Sequence, residues 1–144
     1  MDAISLTKRM DELFAVRDLV ALKAMYHPDV ESVKPNGEVV KGLEENFGTF
    51  ERLIANQFPN ITIESLNFVS DDHAGDAAQN LSSCTFDTVT NCNNEAIVVD
   101  GVTKLAANAS YNIRKQNTFK DGLLFKTVMV GSANNDVVCK NGKV

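Results

Sequence analysis

The hydrophobic pattern of the chain changes its period near Ile61. Before that point apolar residues recur at the three- and four-residue spacing of a helix, and after it they tend to alternate with polar residues, with Val, Ile, Thr, Phe and Tyr predominating. The first period predicts amphipathic helices, and the second predicts strands. Helices followed by strands are typical of an α+β domain in which helices cover one face of an antiparallel sheet.

Three helices are predicted in the first part of the chain. They cover about Ser5–Val16, Asp18–Tyr26 and Leu43–Asn56. Asp18 is a predicted N-cap, and Pro28 is expected to end the second helix because it disfavours helical backbone in the preceding residue. Pro35-Asn36-Gly37 predicts the turn of a small hairpin between Val30–Val33 and Glu38–Val40.

The second part of the chain predicts a sheet of long strands. The strands are Ile61–Val69, Ala77–Thr90, Ala96–Lys115 or a bent pair within it, and Asn117–Gly131. The turns between or within them are Asp71–Gly75, Asn91–Asn94, Asp100-Gly101 and Asp121-Gly122. Asp-Gly between apolar runs is the strongest hairpin indicator of this set.

Length and charge limit the classes of protein. A chain of 144 residues that is 44% hydrophobic and 23% charged predicts one domain, residues 1–133, with a polar tail at 134–144. A formal charge of −5, without runs of Lys and Arg, gives no reason to expect a nucleic acid or a membrane surface as partner. Charged residues interrupt Met1–Val20, so no signal peptide is predicted, and a cytoplasmic location is expected.

Motifs for metals and cofactors are missing from the sequence. Cys84, Cys92 and Cys139 lack C-x-x-C spacing, and neither His27 nor His73 has a second ligand at zinc-site spacing. The sequence also has no glycine-rich phosphate loop, G-x-S-x-G elbow or H-E-x-x-H motif. Neither a metal nor a cofactor is therefore expected. The cysteines are interpreted as reduced thiols, and a close approach of Cys84 and Cys92, which flank a predicted strand end and turn, is the alternative.

The order of several short motifs resembles one superfamily. The motifs are Met25-Tyr26-His27-Pro28-Asp29-Val30, Pro35, Gly42, Phe58-Pro59 and Phe119-Lys120-Asp121-Gly122-Leu123. In order and spacing, from Ile4 to about Ser132, they resemble the NTF2-like superfamily, specifically its SnoaL-like polyketide cyclases and ketosteroid isomerases. The resemblance implies a cone in which three N-terminal helices pack on a curved antiparallel sheet around a pocket. It also implies a homodimer formed through the sheet.

The catalytic residues of the ketosteroid isomerases are missing from the matching positions. The oxyanion tyrosine of that family falls on Met10, its general-base aspartate on Lys34, and its second oxyanion-hole residue, an aspartic acid, on Lys115. Proton transfer at an enolisable carbon needs a base and an oxyanion donor, so steroid isomerisation is excluded. The acid/base aspartate of SnoaL-like cyclases falls on Met129, which argues against that mechanism too.

The same alignment directs Lys34 and Lys115 toward one cavity. Its candidate ligand-binding residues are Met10, Phe14, Phe47, Phe50, Ile113, Asn117, Phe125, Thr127 and Met129. Two ammonium groups in an apolar pocket imply an anionic ligand or a neighbouring carboxylate such as Asp29, Glu31 or Asp87. In the alternative, both lysines extend to the rim and the interior is a filled core.

Two functions remain open. One is a pocket protein for a hydrophobic, polyketide-like or anionic small molecule, acting as an isomerase, cyclase or dehydratase through acid/base help from Lys34, Lys115 or Tyr111. Tyr111 shares a strand face with Lys115 by the period-two rule, although core packing or cross-strand pairing is the favoured explanation for it. The other function is a non-catalytic ligand carrier or dimerising interaction module. An open cavity of roughly 300 Å³ or more would favour ligand binding.

Overall fold

A computed structural model describes residues 2–52, 60–71, 80–91, 97–105 and 110–131. Its helices are α1 (Ala3–Ala15), α2 (Leu19–Lys23) and α3 (Leu43–Arg52). Its strands are β1 (Tyr26–Val33), β2 (Val39–Lys41), β3 (Thr62–Ser70), β4 (Leu81–Asn91), β5 (Ile97–Val99), β6 (Val102–Leu105), β7 (Ser110–Lys120) and β8 (Leu123–Gly131). The predictions for Phe58-Pro59, His73, Cys92, Cys139 and the tail lie outside the described residues, as do most of the turns Asp71–Gly75 and Asn91–Asn94.

The α+β class is confirmed, but the expectation of a wholly antiparallel sheet is wrong. Six strands form one mixed sheet in the order β2-β1-β8-β7-β4-β3, and β5 pairs with β6 in a separate two-stranded sheet. The parallel pair is β1 with β8, in which Tyr26 lies opposite Leu124 and Ser32 opposite Thr127. The two-residue period of a strand indicates which of its faces is buried, but it does not indicate whether a strand distant in sequence pairs with it in parallel or antiparallel.

The helix starts follow local capping. The Asp2 carboxylate accepts a hydrogen bond from the Ser5 N–H at 2.8 Å, and the predicted cap Asp18 accepts one from the Ala21 N–H at 3.1 Å. The second helix ends at Lys23, earlier than predicted, and Tyr26 is the first residue of β1 instead. Tyr26 is buried and paired with β8, so tertiary packing overrides the helical spacing of this segment.

Both Asp-Gly turns are confirmed. Asp100 and Gly101 have φ of 51° and 76°, and Asp121 and Gly122 have φ of 53° and 79°, as tight hairpins with primed turns require. The first turn joins β5 to β6, so the bent pair expected within Ala96–Lys115 is present. The second joins β7 to β8.

The helices pack over different parts of the sheet. Helix α1 contacts β3, β4 and β7, whereas α3 contacts β1 and β2 at the other end of the strand order. Core side chains from both helices are almost completely buried, including Phe14 at 4% exposure and Phe47 at 1%. In the described part of the chain, no helix is both long enough and apolar enough to span a bilayer.

Candidate functional site

A cavity of about 330 Å³ lies between α1 and the six-stranded sheet. Residues from α1, from β1, β3, β4, β7 and β8, and from the turn after β1 line it. Pro35 and Asn36 in that turn are exposed, which places an opening of the cavity beside them. Met10, Phe14 and Phe86 are among the buried side chains that form its apolar walls. Small-molecule sites occupy about 300–1,000 Å³, so this cavity has the size of a small one.

Helix α1 contributes one polar and one charged side chain to the cavity. Thr7, Met10, Asp11 and Phe14 all line it. Their spacing of three, four and seven residues places them on one helical face. The sequence analysis missed Asp11. The available indicator was its position three residues before Phe14, which places a carboxylate within the apolar stripe.

Lys115 reaches the cavity from the sheet. It lies opposite Phe86 on β4 and Met129 on β8, and all three residues line the cavity. Residues directly opposite on neighbouring strands share a sheet face. Among the described residues, no hydrogen bond or ion pair is formed by the Lys115 ammonium group. Burial lowers the pKa of Lys115, and the Asp11 charge opposes this decrease.

The carboxyl group of Asp11 shows the complementary perturbation. Burial raises the pKa of Asp11, whereas the neighbouring Ser65 hydroxyl and the Lys115 charge oppose the rise. The Ser65 hydroxyl also lines the cavity, and its oxygen is buried without a hydrogen bond of normal geometry in the described part of the structure. Asp11 and Lys115 therefore influence each other's protonation across the cavity. A partly buried acid and base shifted in this way are typical of functional sites.

Tyr26 adds a phenol to the cavity wall. It is 8% exposed, and its ring packs edge-on against Phe47 with a centroid distance of 5.4 Å. Burial and the Asp11 charge raise the pKa of Tyr26. The phenol of Tyr26 therefore stays protonated at neutral pH and does not compete with Asp11 as a base.

Asn117 and Thr127 belong to a chain of hydrogen-bonded polar side chains in the cavity wall. The Thr127 hydroxyl donates to Asn117 Oδ1 at 2.7 Å, and Asn117 Nδ2 donates to the Thr7 hydroxyl at 3.3 Å. The Thr7 hydroxyl also lies 3.6 Å from Cys84 Sγ. This chain joins β8, β7 and α1, and it satisfies polar groups that burial would otherwise destabilise.

Lys34 has a different environment from Lys115. It follows β1 and lines the cavity near the exposed turn, where Nζ lies 3.5 Å from a Glu38 carboxylate oxygen. Its counter-ion is thus Glu38, and not Asp29, Glu31 or Asp87. Asp87 pairs instead with Arg114 at 3.0 Å. The two lysines predicted to point into one cavity both line it, one at the opening and one inside.

Asn46 holds the wall near the opening in place. This residue of α3 lines the cavity, and Nδ2 donates to the carbonyl oxygens of Val30, Val40 and Gly42 at 3.2, 3.1 and 2.8 Å. Its Oδ1 accepts a hydrogen bond from the Ser32 hydroxyl. One amide therefore ties α3 to both strands of the first hairpin. The sequence analysis did not single it out.

Several predicted site residues do not line the cavity. Phe47 is buried in the core beside Tyr26, and Ile113 is buried without reaching the cavity. Phe125 sits at an irregularity of the β7–β8 register, where Phe119 pairs with Leu124 but Thr118 pairs with Lys126. The irregularity shifts the alternation, so that Leu124 lines the cavity and the Phe125 ring contacts the His27 ring at 5.0 Å. The side chains of Phe50 and Tyr111 lie outside the described residues.

The polar groups of the cavity are not arranged as a cluster of metal ligands in the described part of the chain. In residues 2–52, 60–71, 80–91, 97–105 and 110–131, no three His, Cys, Asp or Glu side chains come together in a group that could hold a metal ion. The cavity instead offers one carboxyl group, two ammonium groups and several hydroxyl and amide groups. These groups are suited to binding a polar group on an otherwise apolar molecule and to moving protons.

Comparison with known proteins identifies the fold. No protein-family model and no curated protein matches the sequence. Among solved structures, a protein described as a prospective polyketide cyclase from Pseudomonas putida is 18% identical with a TM-score of 0.61, covering 97% of this chain and 98% of its own. An NTF2-like protein of unknown function from Burkholderia pseudomallei is 15% identical with a TM-score of 0.57, covering 90% and 89%.

A third solved structure contains a ligand. TerC, co-crystallised with polyporic acid, is 15% identical with a TM-score of 0.56, and the match covers 90% of each chain. The three similarities extend over nearly the whole of both partners. The chain therefore has the fold of NTF2-like proteins, as the resemblance in the sequence implies.

Proposed function

We propose that this chain is an NTF2-like pocket protein that binds a hydrophobic small molecule carrying an acidic oxygen group. The observation that carries the proposal is the ammonium group of Lys115, which lines a largely apolar cavity of about 330 Å³. It has no hydrogen bond or ion pair within the described residues. The helices and the sheet would enclose the ligand as in the cone that the resemblance implies.

The energetics of burial favour an oxygen anion at Lys115. A charged group in an apolar environment is costly unless an opposite charge or hydrogen-bond acceptors surround it. A carboxylate, phosphate or phenolate oxygen on the ligand would supply that partner. The apolar rings of Phe14 and Phe86 would contact the rest of the molecule, and Lys34 at the opening would add a second positive charge.

The structural neighbours support this class of ligand. One of them is described as a prospective polyketide cyclase, and another was crystallised with polyporic acid. These are properties of those proteins, and at 15–18% identity they support the chemical class for this chain and not a particular compound.

An isomerase or lyase activity is the second candidate. The observation that favours it is the opposite perturbation of Asp11 and Lys115, whose pKa values are shifted toward neutrality by burial. Shifts of this kind suit a general base and a general acid. A ligand carrier releases its ligand unchanged, so formation of a product that is lost in Asp11→Asn would distinguish catalysis from transport.

A matched pair of probes tests the binding proposal. We expect 2-naphthoate to bind more tightly than its neutral isostere 2-naphthamide, as measured by isothermal titration calorimetry. A hydrogen bond to a charged group contributes about 1.5–3 kcal/mol, which corresponds to roughly a ten- to hundredfold preference. Lys115→Met should abolish the preference.

The control is Lys126→Met, because Lys126 is exposed on the neighbouring strand β8 and does not line the cavity. This variant should retain the preference. Equal affinities of the two probes for the wild type, or an unchanged preference in Lys115→Met, would contradict the proposal. If neither probe binds, the cavity is not a site for aromatic acids.

A further inference from the structure

We infer that the cavity takes a weakly acidic hydroxyl group, such as a phenol or an enol, and that Asp11 accepts its proton while Lys115 pairs with the resulting oxyanion. This inference rests on the proposed function, because it requires a ligand in the cavity. It narrows the class of ligand from any anion to a weak acid that is neutral in solution. It also gives Asp11, which the sequence patterns left unassigned, a direct role.

The placement of the two charges supports the inference. Asp11 comes from α1 and Lys115 from β7, so the two residues enter one cavity from the helix and from the sheet. Each alters the protonation of the other, yet no ion pair within 4.0 Å joins them in the described structure. The two charges are therefore coupled without neutralising each other by contact. A ligand oxygen near both could exchange a proton with one and pair with the other.

The charge balance favours a weak acid over a permanent anion. A permanent anion would be attracted by Lys115 and repelled by the Asp11 carboxylate, whereas a neutral ligand that cannot ionise would leave the Lys115 ammonium unpaired. With a weak acid, the ligand O–H bond breaks and the proton forms an O–H bond with an Asp11 carboxylate oxygen. The electron pair stays on the ligand oxygen beside Lys115. The total charge is unchanged, and the repulsive negative charge is removed.

The surroundings of Asp11 favour the transfer. An ordinary phenol and an aspartic acid differ in pKa by about six in water. Burial and an adjacent opposite charge can each move a pKa by roughly one to three or more, so both effects are needed. Burial already raises the pKa of Asp11, and the Lys115 ammonium would lower the pKa of a ligand hydroxyl beside it.

The other groups that face Asp11 do not compete for the proton. The pKa of Tyr26 on β1 is raised by burial and by Asp11, so its phenol stays protonated. Lys34 carries its positive charge near the opening, with Glu38 as its partner. The Ser65 hydroxyl on β3 lies beside the Asp11 carboxyl group and acts to lower its pKa, and a serine hydroxyl does not accept a proton at neutral pH.

The test uses 4-nitrophenol, whose absorbance distinguishes the phenol from the phenolate. Binding is measured by calorimetry below the pKa of the free compound, in two buffers with different ionisation enthalpies, which yields the number of protons released. For the wild type we expect the absorbance of phenolate in the complex and almost no proton release. Asp11→Asn should bind the compound as phenolate and release about one proton to the buffer.

Two further variants assign the roles. Lys115→Met should bind 4-nitrophenol in its neutral form, so the phenolate absorbance is lost. Glu12→Gln removes the adjacent, exposed carboxylate of the same helix and should behave as the wild type. The wild-type result needs no variant, because phenolate absorbance without proton release means that the proton remains in the complex.

The outcomes separate this inference from the proposed function. Proton release by the wild type equal to that of Asp11→Asn would overturn the inference, as would a neutral phenol in the wild-type complex. If the wild type prefers 2-naphthoate over 2-naphthamide but binds 4-nitrophenol without proton transfer, only the inference fails. If it binds neither 2-naphthoate nor 4-nitrophenol, both fail.

Discussion

Neutralising the two interior charges together should make the protein more stable. The double variant Asp11→Asn/Lys115→Met keeps the approximate volume of both side chains and removes both charges from the cavity. Buried charge pairs are often retained at a cost in stability, because their mutual attraction does not repay the loss of hydration. Here the two groups do not form an ion pair within 4.0 Å in the described structure, so the attraction that offsets desolvation is weak.

The size of the gain follows from the partial burial of both residues. Replacing a buried ion pair by uncharged side chains of similar volume commonly stabilises a protein by about 1–4 kcal/mol. Asp11 and Lys115 are only partly buried and face a cavity with an opening, so they keep some hydration in the folded state. The lower part of the range, about 1–2 kcal/mol, is therefore expected. For a domain of this length, that gain raises Tm by roughly 3–8 °C.

Urea unfolding at pH 7, followed by circular dichroism, measures this difference. The control is Arg9→Met/Glu12→Gln, which removes an exposed charge pair on the same helix, 3.3 Å apart with side chains 56% and 68% exposed. Exposed pairs contribute about 0–1 kcal/mol, so the control should change little. A loss of stability in the interior double variant would refute the reasoning, because it would make the two charges part of what stabilises the fold.

Three single substitutions test other parts of the structure. Folding raises the pKa of Asp11 above the ordinary value of 3.8, so the charged carboxylate destabilises the folded wild type at pH 7. As the pH falls through the folded pKa, the wild type gains stability relative to Asp11→Asn. The urea midpoints of the two proteins should therefore be separated at pH 7 and converge near pH 4. In Asn46→Asp the side chain cannot donate to the three carbonyl oxygens, so the free energy of unfolding, measured with urea, should fall by about 2–4 kcal/mol. The matched control is Asn36→Asp. The Asn36 side chain only accepts a hydrogen bond, so this substitution should leave the stability nearly unchanged. Gly122→Ala should lose roughly 1–2 kcal/mol of unfolding free energy, because alanine is strained at the φ of 79° that Gly122 adopts. A clash with neighbouring residues does not contribute, since no atom lies within 4 Å of the added Cβ.

Local chemistry explains which parts of the fold were predictable. The Asp18 cap and the two Asp-Gly turns depend on hydrogen bonds and φ angles within a few residues, and the structure confirms them. The parallel pairing of β1 with β8 joins segments almost a hundred residues apart and has no counterpart in local periodicity. The end of α2 was predicted too late for a related reason. Helical spacing continues to Tyr26, but burial against β8 draws that residue into a strand.

The candidate site, like the fold, was only partly predictable from the sequence. The resemblance in the sequence led to Lys34 and Lys115, and both line the cavity. Only the structure separates Lys34, paired at the opening, from Lys115 inside, which has no partner among the described residues. Phe125 was assigned to the cavity by strict alternation along β8. The register irregularity beside Leu124 breaks that alternation, and an insertion of this kind has no mark in the residue types.

The sequence prediction missed Asp11 because it treated charge as a property of the surface. The chain carries a formal charge of −5, and the acidic residue next to Asp11 on the first helix, Glu12, is exposed. Asp11 instead lines the cavity together with Lys115, whose ammonium group is the only cavity-lining one without a partner in the described part of the structure. If the double variant is more stable, and if 4-nitrophenol binds as phenolate without releasing its proton to the buffer only when both residues are present, the two results together show that this pair serves the ligand and not the fold.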